Sequence, residues 1–221
     1  SGISLPPLHC DLETLGHLPA SQIITVVTGL PRTGTSLMMQ LLEAAGLPLF
    51  TDGERAADES NRRGYYEHRR VASLLSSRDR DWLAEACGGA VKVVAPLLAA
   101  LPRQLPRSGG GSPFPVTYRV LFMERDMEEV LASQAAFLTR LGQAAPAKGG
   151  ADVAKVYGQQ LRQARAWCDH PQVHALSVPY DLLVNRPSEI LPRLAAFLGV
   201  PEREEAMRSC IDPSLYRERR D

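Results

Sequence analysis

The sequence predicts an α/β fold of three layers, α/β/α, around a central, mostly parallel sheet, on three observations. Residues 22–45 read as an uncharged β-branched run (Ile23, Ile24, Val26, Val27), then a turn bounded by Gly29 and Gly34, then a helix with Leu37, Met38, Leu41, Leu42 and Ala45 on one face. Three more short apolar runs, at 90–94, 118–123 and 173–178, have the length and composition of buried strands. Helical patterns at 126–141, 152–168 and 187–198 alternate with the later runs, as parallel strands joined by crossovers require. At 221 residues the chain fills one domain with a full core and is short for two. The domain is accordingly drawn over 1–221, with a lead-in at 1–21, loose loops at 102–115 and 142–150, and a tail at 201–221.

In order, the lead-in carries His9, Asp11, Glu13 and His17, read as a solvated approach to the first strand rather than a metal site. The first strand then meets Gly29, Leu30, Pro31, Arg32, Thr33, Gly34, Thr35 and Ser36. Glycine at both ends lets the backbone approach an anion closely, and the helix start adds about half a positive charge. Thr33, Thr35 and Ser36 add hydroxyl donors, and Arg32 adds a permanent cation with a forked donor set. This is a phosphate-loop (P-loop) arrangement with one departure, Thr35 standing where a nucleotide-triphosphatase loop has its lysine. Gly46 marks the left-handed end of the helix.

Residues 46–64 form a polar, charge-rich connection past the mouth of the site, and 71–83 has helical spacing. Gly88 and Gly89 break it before the second strand, which contains Lys92. An ammonium inside a buried strand needs an anion or a carboxylate, unless it snorkels to water at the strand end. Residues 101–115, rich in Pro, Gly and Ser, are expected to hold no regular structure. The third strand ends at Glu124 and Arg125, with Glu124 directed away from the ligand by strand alternation. Asp126 and Glu129 then open a helix as a capping-box-like pair, with Val130, Leu131, Phe137, Leu138 and Leu141 as its apolar face. Arg125 at a strand's carboxyl end and Ser133 two helical turns on can converge on one phosphate. The stretch 142–150 reads as a lid or as a connector. In the fourth strand His174 reads as a packed or edge residue, Asp181 as a turn or capping residue, and the last core helix closes at Gly199.

Composition narrows the function classes. Twenty-five basic and 25 acidic residues balance, so no global field points to nucleic acid or to an anionic membrane, and an anion site must be local. Cys10, Cys87, Cys168 and Cys210 are widely spaced, without C-x-x-C or a histidine at ligand spacing, which predicts reduced thiols, no metal and a cytoplasmic setting. Nothing reaches the length of a membrane span.

The run from Gly29 to Leu37 resembles the 5′-phosphosulfate loop of sulfotransferases that use 3′-phosphoadenosine 5′-phosphosulfate (PAPS). Arg125 and Ser133 match that family's 3′-phosphate pair in type and spacing. Residues 91–98 resemble its Lys-Thr-His-x-Pro segment, keeping the lysine as Lys92 but with Val94 in place of the basic histidine. Residues 61–67 resemble the Asn-Pro-x-Gly-Tyr-x-Glu segment of bacterial and carbohydrate-type members, with Arg62 where proline is usual. Tyr180 and Asp181 resemble a Tyr-Glu/Asp-x-Leu segment whose tyrosine lies near the adenine, core packing being the alternative for Tyr180, and Phe197, Leu198 and Gly199 match another family ending. The sequence has no Arg-Lys-Gly segment of the kind that completes the 3′-phosphate site in cytosolic members.

The resemblance implies transfer of a sulfuryl group from PAPS to a hydroxyl or amine of a small-molecule, carbohydrate or peptide acceptor, with PAP as product and no metal. It implies that Pro31, Arg32, Thr33, Gly34, Thr35, Ser36, Arg125, Ser133 and Tyr180 bind the donor. Arg32 and Lys92 would neutralise the transferring group, and Glu67 would be the general base, with Asp52, Glu54 and His68 as weaker candidates. Glu67 paired with Arg69 or Arg70 is the structural alternative. Two rival functions stand beside this one: a P-loop nucleotide kinase-like enzyme, against which Thr35 speaks, and a PAP-binding protein that has lost catalysis, for which Val94 speaks.

Overall fold

A computed structural model describes residues 7–52, 66–142 and 150–212. Four parallel strands form the sheet: β1 (Ile23–Thr28), β2 (Ala90–Lys92), β3 (Thr117–Glu124) and β4 (Val173–Pro179), in the order β2-β1-β3-β4. All six β1 residues are buried, the threonines Thr25 and Thr28 included, as suits an uncharged β-branched strand covered on both faces. Alternation sends Ile23 and Val27 to one core and Ile24 and Val26 to the other.

The first core lies under helices α1 (Thr35–Ala44), α4 (Tyr180–Asn185) and α5 (Pro187–Leu198). Between β3 and α4 the chain forms α2 (Met127–Arg140) and α3 (Gly150–Cys168). The second core is covered by α3 and by 3₁₀ turns at Ser73–Leu75, Asp81–Ala86 and Ala95–Ala100. The layers are therefore α/β/α, with one layer largely of short turns. The order of strands reverses between β1 and β3, so the crevice beyond their carboxyl ends is a topological switch point.

Two expectations need correction. The helical spacing over 71–83 is realised only as a four-residue turn, Arg69–Ala72, followed by the 3₁₀ pieces. Ser76, Ser77 and Asp79 bond to neighbouring backbone groups, and Arg80 donates to the carbonyls of Leu74, Ser77, Asp79 and Ala100, which satisfies the chain without a helix. The loose stretch 101–115 contains a two-residue antiparallel pair, Gln104–Leu105 with Phe114–Pro115, anchored by buried Leu105 and Phe114. The lead-in is solvated at His9, Glu13 and His17, as expected, and it also holds local structure: Asp11 caps a helix over Leu12–His17, Leu15 is buried, and the Ala175 amide of β4 donates to the His9 carbonyl at 2.6 Å.

The expected apolar face of α2 is only partly used. Val130 is buried, Leu131, Phe137 and Leu138 are half-buried, and Leu141 is exposed. Asp126 Oδ1 caps the helix by accepting from the amides of Glu128 and Glu129. His174 is packed, 2% exposed, with Nδ1 accepting from the Asp11 amide. Burial and the nearby His9 hold its imidazole below the ordinary value.

Candidate functional site

Residues 29–34 join β1 to α1 in a turn whose glycines are fixed by contact. A Cβ on Gly29 would stand 2.5 Å from Thr33 Oγ1 and 2.8 Å from the Met123 carbonyl. One on Gly34, at φ +91°, would run into Tyr180 Cδ2 and lie 2.7 Å from Cε2. Gly34 is the N-cap of α1, so the orphan amides of the first turn are presented at this point. Thr33 and Thr35 are buried, and Thr33 Oγ1 donates to the Leu30 carbonyl at 2.7 Å. Pro31 and Ser36 are half-buried.

Lys92 closes β2 opposite Val27 of β1. Its neighbours Val91 and Val93 enter the second core and Ala90 the first, so Lys92 rises on the α1 side. Nζ lies 3.3 Å from Ser36 Oγ and 3.4 Å from Glu67 Oε1, and the side chain is 7% exposed against 44% for Glu67. The expected pairing of this buried ammonium is thus with a carboxylate and a loop hydroxyl. The Glu67 carbonyl accepts from Thr51 Oγ1 at 2.9 Å and the Asp52 amide at 3.2 Å, which fixes the segment beside β2.

Of the weaker acid-base candidates, Asp52 accepts from the Arg69 amide at 2.6 Å and lies 4.0 Å from His68 Nδ1. His68 stacks on Phe50, with centroids 4.3 Å apart, and its Nδ1 accepts from the Arg70 amide at 3.2 Å. That bond engages the Nδ1 lone pair. Glu54 and residues 61–65 of the Asn-to-Glu segment lie outside the described residues, as do 143–149 of the supposed lid and 213–221 of the tail.

A second cluster sits at the end of β3. Arg125 Nε donates to Glu129 Oε2 at 3.0 Å, and NH1 donates to the Arg32 carbonyl at 3.0 Å. Its guanidinium lies 4.9 Å from the centroid of the Tyr180 ring. Ser133, 1% exposed, accepts from Arg32 Nε at 3.1 Å, and the Arg32 guanidinium lies 5.2 Å from the Phe137 ring centroid. Arg32 holds φ +68°, a left-handed conformation that costs a residue with a side chain about 1–2 kcal/mol. Arg32 was expected beside Lys92 at the transferring end; its guanidinium is with Ser133 and Phe137.

A cleft of about 470 Å³ opens here between the carboxyl ends of β3 and β4, lined by Leu30, Phe122, Met123, Leu161, Pro179 and Tyr180 together with Arg125 and Asp181. Asp181 is in the first turn of α4, where its Oδ1 accepts from Asn185 Nδ2 at 2.7 Å. Glu124 also lines this cleft, which corrects the expectation that it turns away. Its Oε1 is 2.5 Å from Arg165 NH1 and accepts from Ser177 Oγ at 3.0 Å, so its charge is matched.

The predicted residues thus gather as two sets, Lys92 with Ser36 and Glu67, and Arg32 with Arg125 and Ser133, and Tyr180 joins the second through Gly34 and Arg125. Glu129 and Phe137, expected only as a capping and a core residue, belong to the neighbourhood, as does Arg165, which carries no sequence signal. The signal for two of them was present: Glu129, Ser133 and Phe137 recur every fourth residue along one face of α2. Among the described residues no group of three or more His, Cys, Asp or Glu is placed to hold a metal ion, and no described helix is long and apolar enough to cross a membrane.

No family model and no curated sequence matches the chain. Among solved structures, a sulfotransferase domain from the curacin biosynthetic pathway is 15% identical with a TM-score of 0.45, the match covering 87% of this chain and 76% of that one. Sulfotransferase STF9 of Mycobacterium avium is 14% identical with a TM-score of 0.46, covering 89% and 69%. A sulfotransferase of Alicyclobacillus acidocaldarius is 12% identical with a TM-score of 0.43, covering 80% of each chain. Likenesses this distant decide no function, which must be argued from the residues.

Proposed function

We propose that the chain is a PAPS-dependent sulfotransferase acting on a hydroxyl or amine of a small-molecule, carbohydrate or peptide acceptor. The observation that carries this reading is the division of donors into two clusters about one loop: Lys92 with Ser36 beyond β2, and Arg125 with Ser133 and Arg32 beyond β3. A triphosphate concentrates its charge at one end. A nucleotide with anionic groups on both its 5′ and 3′ positions fits two clusters. The donor set suits such a group, since guanidinium, ammonium, hydroxyl and helix-start amides all donate to anionic oxygens.

In this reading Ser36, Lys92 and the amides of the loop hold the 5′ end, Arg125 and Ser133 hold the 3′-phosphate, and Tyr180 borders the adenine. When bound, PAPS supplies an activated sulfuryl group for attack by the acceptor. Lys92, itself 7% exposed, acts as a largely desolvated counter-charge, which is worth more than one at the surface. Glu67, half-exposed beside it, takes the acceptor proton. The four cysteines, none in a disulfide, suit the reducing, cytoplasmic compartment proposed with this activity.

The test is calorimetric binding of PAP against ATP, in wild type and Arg125→Ala. Selective PAP binding that collapses in the variant is expected. Preference for ATP, or no effect of the substitution, overturns the assignment. PAP binding without PAPS-dependent transfer across acceptors assigns the chain to nucleotide binding alone.

A further inference from the structure

Arg32 lies in the loop that would face the transferring end of a donor, yet its side chain turns to α2. Nε donates to Ser133 Oγ at 3.1 Å, and the guanidinium rests 5.2 Å from the Phe137 ring centroid, one turn further along the same helix face. Arg125 NH1 donates to the Arg32 carbonyl at 3.0 Å, so the two arginines are tied by a backbone bond. The arrangement is maintained at φ +68°, where glycine would be unstrained. An arginine kept in such a conformation points to a use for its side chain. A terminal phosphate carries nearly two charges and three acceptor oxygens. One guanidinium and one hydroxyl answer part of that; a second guanidinium, which already donates to that hydroxyl and lies 5.2 Å from the Phe137 ring centroid, answers the rest. Ser133 is 1% exposed and the Arg125 side chain 6%, so two of the three donors are set in place beforehand.

We propose, on the reading that the chain binds PAPS, that Arg32 is a 3′-phosphate ligand with Arg125 and Ser133 and sets the preference for 3′-phosphorylated adenine nucleotides. The transferring end is then left to Lys92, Ser36 and the loop amides. The loop cation has changed ends.

The experiment measures binding of PAP and of adenosine 5′-monophosphate by calorimetry in wild type, Arg32→Gly and Lys92→Ala. Glycine removes the guanidinium while keeping the positive φ, so relief of backbone strain offsets part of the lost Ser133 and Phe137 contacts and Arg32→Gly should still fold, melting within a few degrees of wild type. It should lose about tenfold to a hundredfold in PAP affinity, the range for a hydrogen bond to a charged group, with the monophosphate changed less than twofold. Lys92→Ala should weaken both nucleotides alike. If Arg32→Gly weakens both nucleotides equally, or neither, while wild type still prefers PAP, the assignment of Arg32 is overturned and the PAPS reading stands. A wild type that binds PAP no better than the monophosphate overturns the PAPS reading and this assignment with it.

Discussion

Gly34→Ala is the substitution whose cost can be built from the structure. Alanine at φ +91° takes a left-handed strain of about 1–2 kcal/mol. Its methyl would also occupy the edge of the Tyr180 ring, which is 8% exposed and cannot withdraw without disturbing the α4 side of the core. Forcing a methyl group into a packed site costs about 1–3 kcal/mol. The sum is about 2–5 kcal/mol, and at 3 kcal/mol the melting temperature of a domain this size drops by about 6–12 °C. Urea denaturation of wild type, Gly34→Ala, Tyr180→Ala and the double variant separates the two parts. With the ring gone only the backbone strain remains, so the alanine penalty should shrink to about 1–2 kcal/mol in the Tyr180→Ala background. An equal penalty in both backgrounds would refute the steric account and leave the glycine required by its backbone alone.

Three further outcomes are expected. Lys92→Met should shift stability by less than about 1 kcal/mol, because Glu67, 44% exposed, is left to water, while PAP affinity falls about tenfold or more; a large loss of stability in denaturation would show a structural lysine instead. His174 is held below its ordinary value by burial, so its contribution to stability is complete above the unfolded value of about 6.5 and is lost as pH falls through that value to the folded one. Melting temperatures at pH 7.5 and 5.5 should differ more in wild type than in His174→Asn, and equal differences would remove His174 from the account. Arg80→Met should cost about 2–4 kcal/mol by uncapping four carbonyls, with exposed Arg78→Met within about 0.5 kcal/mol as the comparison, both read from urea midpoints.

The parts legible in the sequence are those in which local and long-range requirements coincide. β1, the loop and α1 were readable because the run Ile23–Thr28 suits burial on both faces and Gly29 and Gly34 sit where contacts forbid a side chain. The cap at Asp126 and the end of α5 at Gly199, φ +75°, follow from local chemistry in the same way. The stretch 71–83 misled because its apolar spacing suits a helix, whereas Ser77, Asp79 and the carbonyl-binding Arg80 settle the backbone. Lys92 announced itself by being charged within a strand, but its partners Ser36 and Glu67 lie 56 and 25 residues away, a distance no periodicity encodes. The direction of Arg32 was equally hidden, since it depends on Ser133, 101 residues on.

The two rims of the sheet carry a consequence for how the protein behaves in solution. β4 is the outermost strand on one side, and the backbone of His9 and Asp11 lies across it through Ala175 and His174; on the other side Leu49 and Phe50 lie along β2, with the Phe50 amide donating to the Ala90 carbonyl at 2.8 Å. An uncovered strand invites a second chain to add itself. Protection of this edge therefore depends on a few residues remote from the loop and its arginines, and loss of the His9–Asp11 contacts would bare β4 to pairing with another strand.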